Sequence, residues 1–270
     1  MPSKSSEPSI RLGVVQYLNT KPLVLAFESD VIEHPFNLVY DVPSECARKL
    51  HAHQTDVAII PAIEICRAPE PYSVVKGVGI CSVGPVNSVF LVLKKDPEDV
   101  KSVALDTSSR SSVALTQILL KKRFNASAEP IDHPPDVDRM LERADAAVLI
   151  GDLALELDRD RYRVLDLGQA WTDWTGLPFV YAVWTGRAGA LTGDQAQLLV
   201  HAKEIGSTAI DEIAKKYAED RPFPPELYSA YLTEAIHFEF GDREQEGILR
   251  FYSYAQELGL VPSVPKLSFY

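Results

Sequence analysis

Residues 102–124 read SVALDTSSRSSVALTQILLKKRF, and this stretch decides the fold class. Ser102 to Leu105 is a short run of strand-forming and apolar residues bounded by polar ones, which is how a buried strand reads. From Ser111 to Phe124, Val113, Leu115, Ile118, Leu119 and Leu120 make one broad apolar face at helical spacing. Only Asp106 to Arg110 separates the two. A strand that passes into a helix through so short a turn is a βα unit, and such units build sheets of mostly parallel strands with helices on both faces.

The same alternation extends in both directions. Upstream, strands are predicted at Ile10 to Val15, Asn37 to Val42, Asp56 to Pro61, Tyr72 to Val75 and Ser88 to Leu93. Pro22 suits the first turn of a helix after the first strand, and Ser44 suits the N-cap of a helix running to about His53. Downstream come strands at Ala128 to Ile131, Ala146 to Ile150 and Arg163 to Leu167, with a helix at Pro135 to Arg143. Pro178 to Thr185 is apolar and extended, long enough to carry the chain back to the first region. From Gly193 the pattern is helical, with further helices at Pro225 to Ile236 and Glu244 to Leu258. Lys94-Lys95-Asp96-Pro97 is a polar break with a turn signal. The expected architecture is therefore two α/β lobes, residues 1–94 with 187–270 and residues 95–186. Hinges would fall near Lys94 to Pro97 and near Trp184 to Gly186. Ligands of such sheets sit outside the carboxyl ends of strands, which singles out the loops after Val15, Ile60, Leu105 and Ile150.

Bulk properties narrow the function. The chain has 270 residues, 46% hydrophobic, with a net charge of −11. That composition supports a packed core, and the charge argues against nucleic acid or an anionic membrane surface as partner. Cys46, Cys66 and Cys81 fit no metal knuckle or redox pair, and read as small buried hydrophobes. The first nine or so residues read as a disordered tail, with no secretion signal and no run near the roughly 20 apolar residues of a membrane span. A cytoplasmic protein is the expectation.

Five loops carry candidate chemistry. Gln16 to Thr20 offers Tyr17, Asn19 and Thr20, either as ligand contacts or as caps of the next helix. Thr107-Ser108-Ser109-Arg110 stands at the start of the long helix, where unpaired N–H groups, hydroxyls and a guanidinium together suit a carboxylate. Ordinary capping is the competing account. Asn87 and Ser88 either face a cleft or close a turn. Gly151 permits close approach of backbone, and Asp152 is either a ligand contact or a helix cap. Trp174 walls a pocket or belongs to the core. Glu64, after the third strand, reads as a general base, a helix cap or one half of a buried pair. None of the histidines pairs with a Ser or Cys motif, and no metal, phosphate-loop or dinucleotide signature is present.

Seven stretches taken together, VVQYLNTKPL (14–23), PSECARKL (43–50), DVAIIPAIE (56–64), GPVNSV (84–89), VALDTSSRSSVAL (103–115), AAVLIGD (146–152) and DLGQAWTDWTGLPFVYAVW (166–184), resemble the chorismate dehydratases that make menaquinone by the futalosine route. The resemblance is dense over residues 10–187, and the helical remainder matches only in character. It implies the type II periplasmic-binding-protein fold, with the ligand between the lobes. It also implies loss of water from chorismate to give 3-[(1-carboxyvinyl)oxy]benzoate, with no cofactor. Asn19 and Ser88 carry over as the residues most involved in the chemistry, and Thr107 to Ser109 as the carboxylate turn. Arg110, Asp152 and Trp174 are assigned by position and chemistry alone. The form Tyr17-Leu18-Asn19-Thr20 favours the dehydratase over the later naphthoate-forming enzyme of the same route. The base would be Glu64 or a carboxylate of the substrate itself, and the oligomeric state is open. The competing reading is a non-catalytic solute-binding or sensing protein of the same fold for a small carboxylate.

Overall fold

The computed structural model describes residues 9–270. The tail expected ahead of Ser9 lies outside the described residues. β1 (Ile10–Val15) leads through a tight 3-10 turn (Leu18–Thr20) into α1 (Lys21–Glu28), with Pro22 in the first helical turn, where its missing N–H would have had no partner in any case. β2 (Phe36–Asp41), α2 (Pro43–His51) and β3 (Val57–Pro61) continue the alternation. Val42, not Ser44, stands at the N-cap of α2. β4 (Tyr72–Ser82) runs seven residues past the expected Val75 and precedes β5 (Val89–Leu93). Next come β6 (Ser102–Asp106), α3 (Ser111–Ile118), β7 (Glu129–His133), α4 (Val137–Arg143), β8 (Ala146–Ile150), α5 (Gly151–Leu155) and β9 (Val164–Asp166). Then follow α6 (Leu167–Thr175), β10 (Phe179–Arg187), α7 (Gly193–Thr208), α8 (Ile210–Ala218), α9 (Pro225–Ala230), α10 (Asp242–Glu257) and β11 (Ser268–Phe269). The single helix expected over Ser111 to Phe124 changes to a π turn at Leu119–Arg123, and α6 occupies much of what reads in the sequence as loop.

Two sheets form, ordered β11-β4-β10-β3-β1-β2 and β7-β6-β8-β5-β9. Both are mixed. The βα units pair in parallel (β2 and β3 with β1, β7 and β8 with β6), whereas β10 and β5 run antiparallel to their neighbours. Those two strands also move the lobe boundaries. β5 belongs to the second sheet and β10 to the first, so the chain crosses between sheets at residues 83–88 and 176–178. The sheet boundaries therefore each lie one strand away from the expected 94/95 and 186/187. Both strands are apolar runs, and an apolar run alone does not say which sheet it joins. The crossings also lie side by side: Ser82, the last residue of β4, is paired with Phe179, the first of β10.

The main apolar core runs through both sheets, from Leu12, Ile59 and Val183 of the first to Leu91, Val103 and Val148 of the second. Fully burying one such side chain contributes about 1.5–3 kcal/mol, so this shared core holds the lobes in contact. α7 lies against α1 because Gly206 has no side chain; a Cβ there would sit 1.8 Å from the carbonyl oxygen of Pro22. That contact seats α1, and with it the turn after β1. Among the described residues, no helix is long and apolar enough to cross a membrane.

Candidate active site

A narrow cavity lies between the sheets, with ≈ 60 Å³ open to the centres of water-sized molecules. Val15, Pro61 and Ile150, each the last residue of its strand, line it, in accordance with the strand-end rule for open α/β sheets. Ile80, Val89 and Ile236 add apolar wall. The polar lining consists of neutral groups: Tyr17, Asn19, Ser88, Tyr181 and Tyr231, with Ser109, Ser111 and Ser112 at the start of α3. Among the described residues, no Asp, Glu, His, Lys or Arg lines it. No group of three or more His, Cys, Asp and Glu side chains is placed there or elsewhere among the described residues to hold a metal ion.

The turn after β1 alternates its side chains. Leu18 and Thr20 are buried in the protein, while Tyr17 and Asn19 reach the cavity. Two contacts fix the turn. The ring of Tyr17 lies on Gly151, whose φ of 64° is the left-handed region and whose missing Cβ would fall 2.8 Å from that ring. The buried Asp152 carboxylate accepts the Leu18 N–H at 3.1 Å. Burial pushes the Tyr17 phenol up to about 12, partly offset by its hydrogen bond with Ser108, so it is neutral at physiological pH. Asn19 donates from Nδ2 to the Tyr231 hydroxyl at 3.2 Å, and its Oδ1 accepts from Thr20 Oγ1 at 3.3 Å. Ser88 is buried, its Oγ 2.9 Å from the same Tyr231 hydroxyl, and its carbonyl accepts the Gly151 N–H at 2.9 Å.

A model of a family described as menaquinone biosynthesis matches residues 10–257. The chain belongs to that family. Curated relatives of this menaquinone-biosynthesis protein include the chorismate dehydratase of Thermus thermophilus, 28% identical over 92% of this chain and 95% of the relative. The chorismate dehydratase of Campylobacter jejuni is likewise 28% identical, over 92% of this chain and 98% of its own length. Among solved structures, a protein from Archaeoglobus fulgidus superposes with a TM-score of 0.76 at 18% identity, covering 96% of this chain and all of its own. The periplasmic aliphatic sulphonate binding protein of Escherichia coli gives 0.67 at 17% identity, covering 96% of this chain and 90% of its own. The fold of this family member is thus periplasmic-binding-protein-like.

Of the residues expected from the sequence, the menaquinone-biosynthesis protein brings Tyr17, Asn19, Ser88, Ser109 and Gly151 to the cavity. Thr20 stands behind Asn19 and Asp152 behind Leu18. Several others lie elsewhere. Thr107 and Arg110 are exposed to solvent. A guanidinium brought into so apolar a slot without a paired anion would lose its hydration at a cost of several kcal/mol, which is the physical reason Arg110 stays in water. Ser108 ties its N–H and hydroxyl to Asp106 at 2.8 and 2.6 Å. Asn87 turns its amide oxygen to Arg159 at 3.2 Å and its N–H to Asp166 at 2.8 Å, away from the cavity. Trp174 stacks on Tyr254 at 4.9 Å and meets Trp171 edge-on at 6.2 Å, in an aromatic packing cluster. Glu64 is one half of a buried pair. Burial would raise its carboxyl, but His51 at 3.1 Å and Arg67 at 2.9 Å hold it below the usual range.

Sequence reasoning missed Tyr181 and Tyr231. Tyr181 sits within a quoted motif, but its neighbour Ala182 lines the cavity too, across a register shift in β10, so no alternation marks it. Tyr231 opens a π turn (Tyr231–Ala235) that continues α9, in a region read only as helix, and no local pattern marks it.

Proposed function

We propose that this chain is a chorismate dehydratase, a carbon–oxygen lyase that converts chorismate into 3-[(1-carboxyvinyl)oxy]benzoate and water. The observation that carries the reading is a single apolar cavity in which Asn19, from the turn after β1, and Ser88, from the crossing before β5, meet on one phenol. The names of the two curated relatives support the same activity.

The chemistry suits a site without side-chain charges. A ring C–H bond next to the hydroxyl-bearing carbon breaks, its electron pair becomes the new ring double bond, and the C–O bond breaks. The departing hydroxyl takes up the proton lost from the ring, handed on by the substrate carboxylate that received it, and leaves as water. The product ring is aromatic, so the driving force is large, and the protein must mainly orient the substrate and exclude water. Asn19 N–H and Ser88 O–H donate to the leaving oxygen. Ser109, Ser111, Ser112 and the first N–H groups of α3 hold a carboxylate of the dianionic substrate, with the positive end of the helix dipole toward it. Thr107, Arg110 and Trp174 are not needed for this. A substrate carboxylate takes the ring proton, since Glu64 is engaged by His51 and Arg67 and does not line the cavity. Apolar walls strengthen every hydrogen bond inside. Chorismate is a charged metabolite that does not cross membranes unaided, which supports action in the cytoplasm.

The test is direct. Purified protein is mixed with chorismate and the products followed by chromatography and mass. Loss of one water with an aromatic benzoate product is the expected result. Tight binding without turnover would replace the reading with that of a carrier or sensor for a small carboxylate, and neither binding nor turnover would overturn the substrate.

A further inference from the structure

Tyr231 lies outside every motif read from the sequence, yet its hydroxyl touches both residues assigned to the leaving group. It is buried, it lines the cavity, and it opens a π turn, a local widening of the helix that recurs at functional sites. The direction of each hydrogen bond around it can be worked out. The Asn19 nitrogen only donates, so at 3.2 Å the phenol oxygen accepts. The other end of that amide accepts from Thr20 Oγ1 at 3.3 Å, so with the amide nitrogen toward Tyr231 both its ends are satisfied. The phenol proton then goes to Ser88 Oγ, 2.9 Å away. Once Ser88 Oγ accepts that proton, its own hydroxyl hydrogen is free to point at a ligand. The second N–H of Asn19 is free in the same way.

We infer that Tyr231 is a positioning residue for the dehydration, ordering a one-way chain of donors from Thr20 through Asn19 and Tyr231 to Ser88. The chain leaves one amide proton and one hydroxyl proton aimed together at the departing oxygen. This rests on the dehydratase reading of the site. Burial pushes the Tyr231 phenol well above its usual range, so it keeps its proton wherever the protein is folded and acts as a donor, not as a base. The chain joins three distant parts of the sequence, with Ser88 just before β5 of the second sheet and Asn19 just after β1 of the first. Cooperative polarisation along such a chain strengthens its last donor.

Tyr231→Phe keeps the ring and removes the hydroxyl. Relative to wild type measured in the same chorismate assay, kcat should fall about 10- to 100-fold while KM changes by less than about threefold, as for loss of stabilisation made only in the transition state. In a Ser88→Ala background the same change should cost less than about twofold, because the chain it orders is already cut. A hydroxyl that merely supports packing would give losses that multiply. Wild-type-like kcat in Tyr231→Phe, or multiplying losses, would overturn the inference while leaving the dehydratase reading intact. An inactive wild type would remove both. Should Tyr231→Phe fail to fold, Thr20→Val and Thr20→Ser test the far end of the chain. Val should lower kcat about three- to tenfold at unchanged KM and Ser should restore it, and a wild-type Thr20→Val would overturn the inference equally.

Discussion

The turn after β1 and the turn after β6 both lie at strand ends beside the cavity, but they deliver side chains by different means. The first is a 3-10 turn whose residues alternate between core and cavity. Each residue there is held by a separate partner: the Tyr17 ring by Gly151, the Leu18 N–H by Asp152, the Asn19 amide by Thr20 and Tyr231. The second passes into α3, so its donors act as a set, hydroxyls together with backbone N–H groups, and its charged member stays in solvent. A site assembled one partner at a time concentrates function in single atoms, whereas a helix start shares it out. Replacement at the first turn should therefore cost far more than replacement at the second.

The sharpest way to break that contrast is Asn19→Ala, for which turnover of chorismate should fall about 100- to 1000-fold, the scale for losing one aimed donor. Full turnover with unchanged affinity would end the assignment. Ser109→Ala should act on affinity instead, raising KM about tenfold with kcat nearly unchanged, as expected for one hydrogen bond to a charged group among several. Gly151→Ala would sharpen the comparison from outside the chemistry. With φ at 64° and its Cβ 2.8 Å from the Tyr17 ring, it should lower unfolding stability by about 1–3 kcal/mol, read by thermal or denaturant unfolding. Asp152→Asn tests the clamp on the first turn through pH. Burial raises the Asp152 carboxyl, so the folded chain binds that proton more tightly than the unfolded chain does. Its stabilising effect is full below the unfolded value of about 3.9 and is lost as pH rises through the folded one. The variant should therefore gain in thermal midpoint on wild type as the pH rises from about 4 through the folded value. Arg110→Ala should be the mildest, with kcat and KM within about twofold of wild type, because an exposed side chain away from the cavity contributes little.

Much of this was legible in the chain, for reasons that mark where legibility ends. The βα unit at Ser102–Ile118 was visible because strand and helix periods differ within a few residues of each other. Asn19 and Ser88 entered through the resemblance; the loop of Asn19 also follows the strand-end rule, whereas Ser88 stands just before β5. Arg110 stands in solvent, and chemical suitability for an anion says nothing about the cost of desolvating a guanidinium. β5 and β10 were assigned to the wrong sheets because local patterns carry no information about which partner strand is nearest in space. Tyr231 could not be found at all: its role exists only where residues 19, 88 and 231 converge, and no window of sequence contains that.

The pairing of Ser82 with Phe179 bears on how the chain finds its structure. A hairpin whose two strands are normally joined by a few residues here encloses residues 83–178. Closing so long a loop from an open chain costs about 3 kcal/mol more than closing a short turn, and contacts this distant in sequence slow folding. The enclosed segment removes that cost once it has its own sheet, since its two ends then leave from neighbouring strands β5 and β9. A formed second sheet therefore holds the two ends of residues 83–178 together and lowers the entropy cost of zipping β4 onto β10.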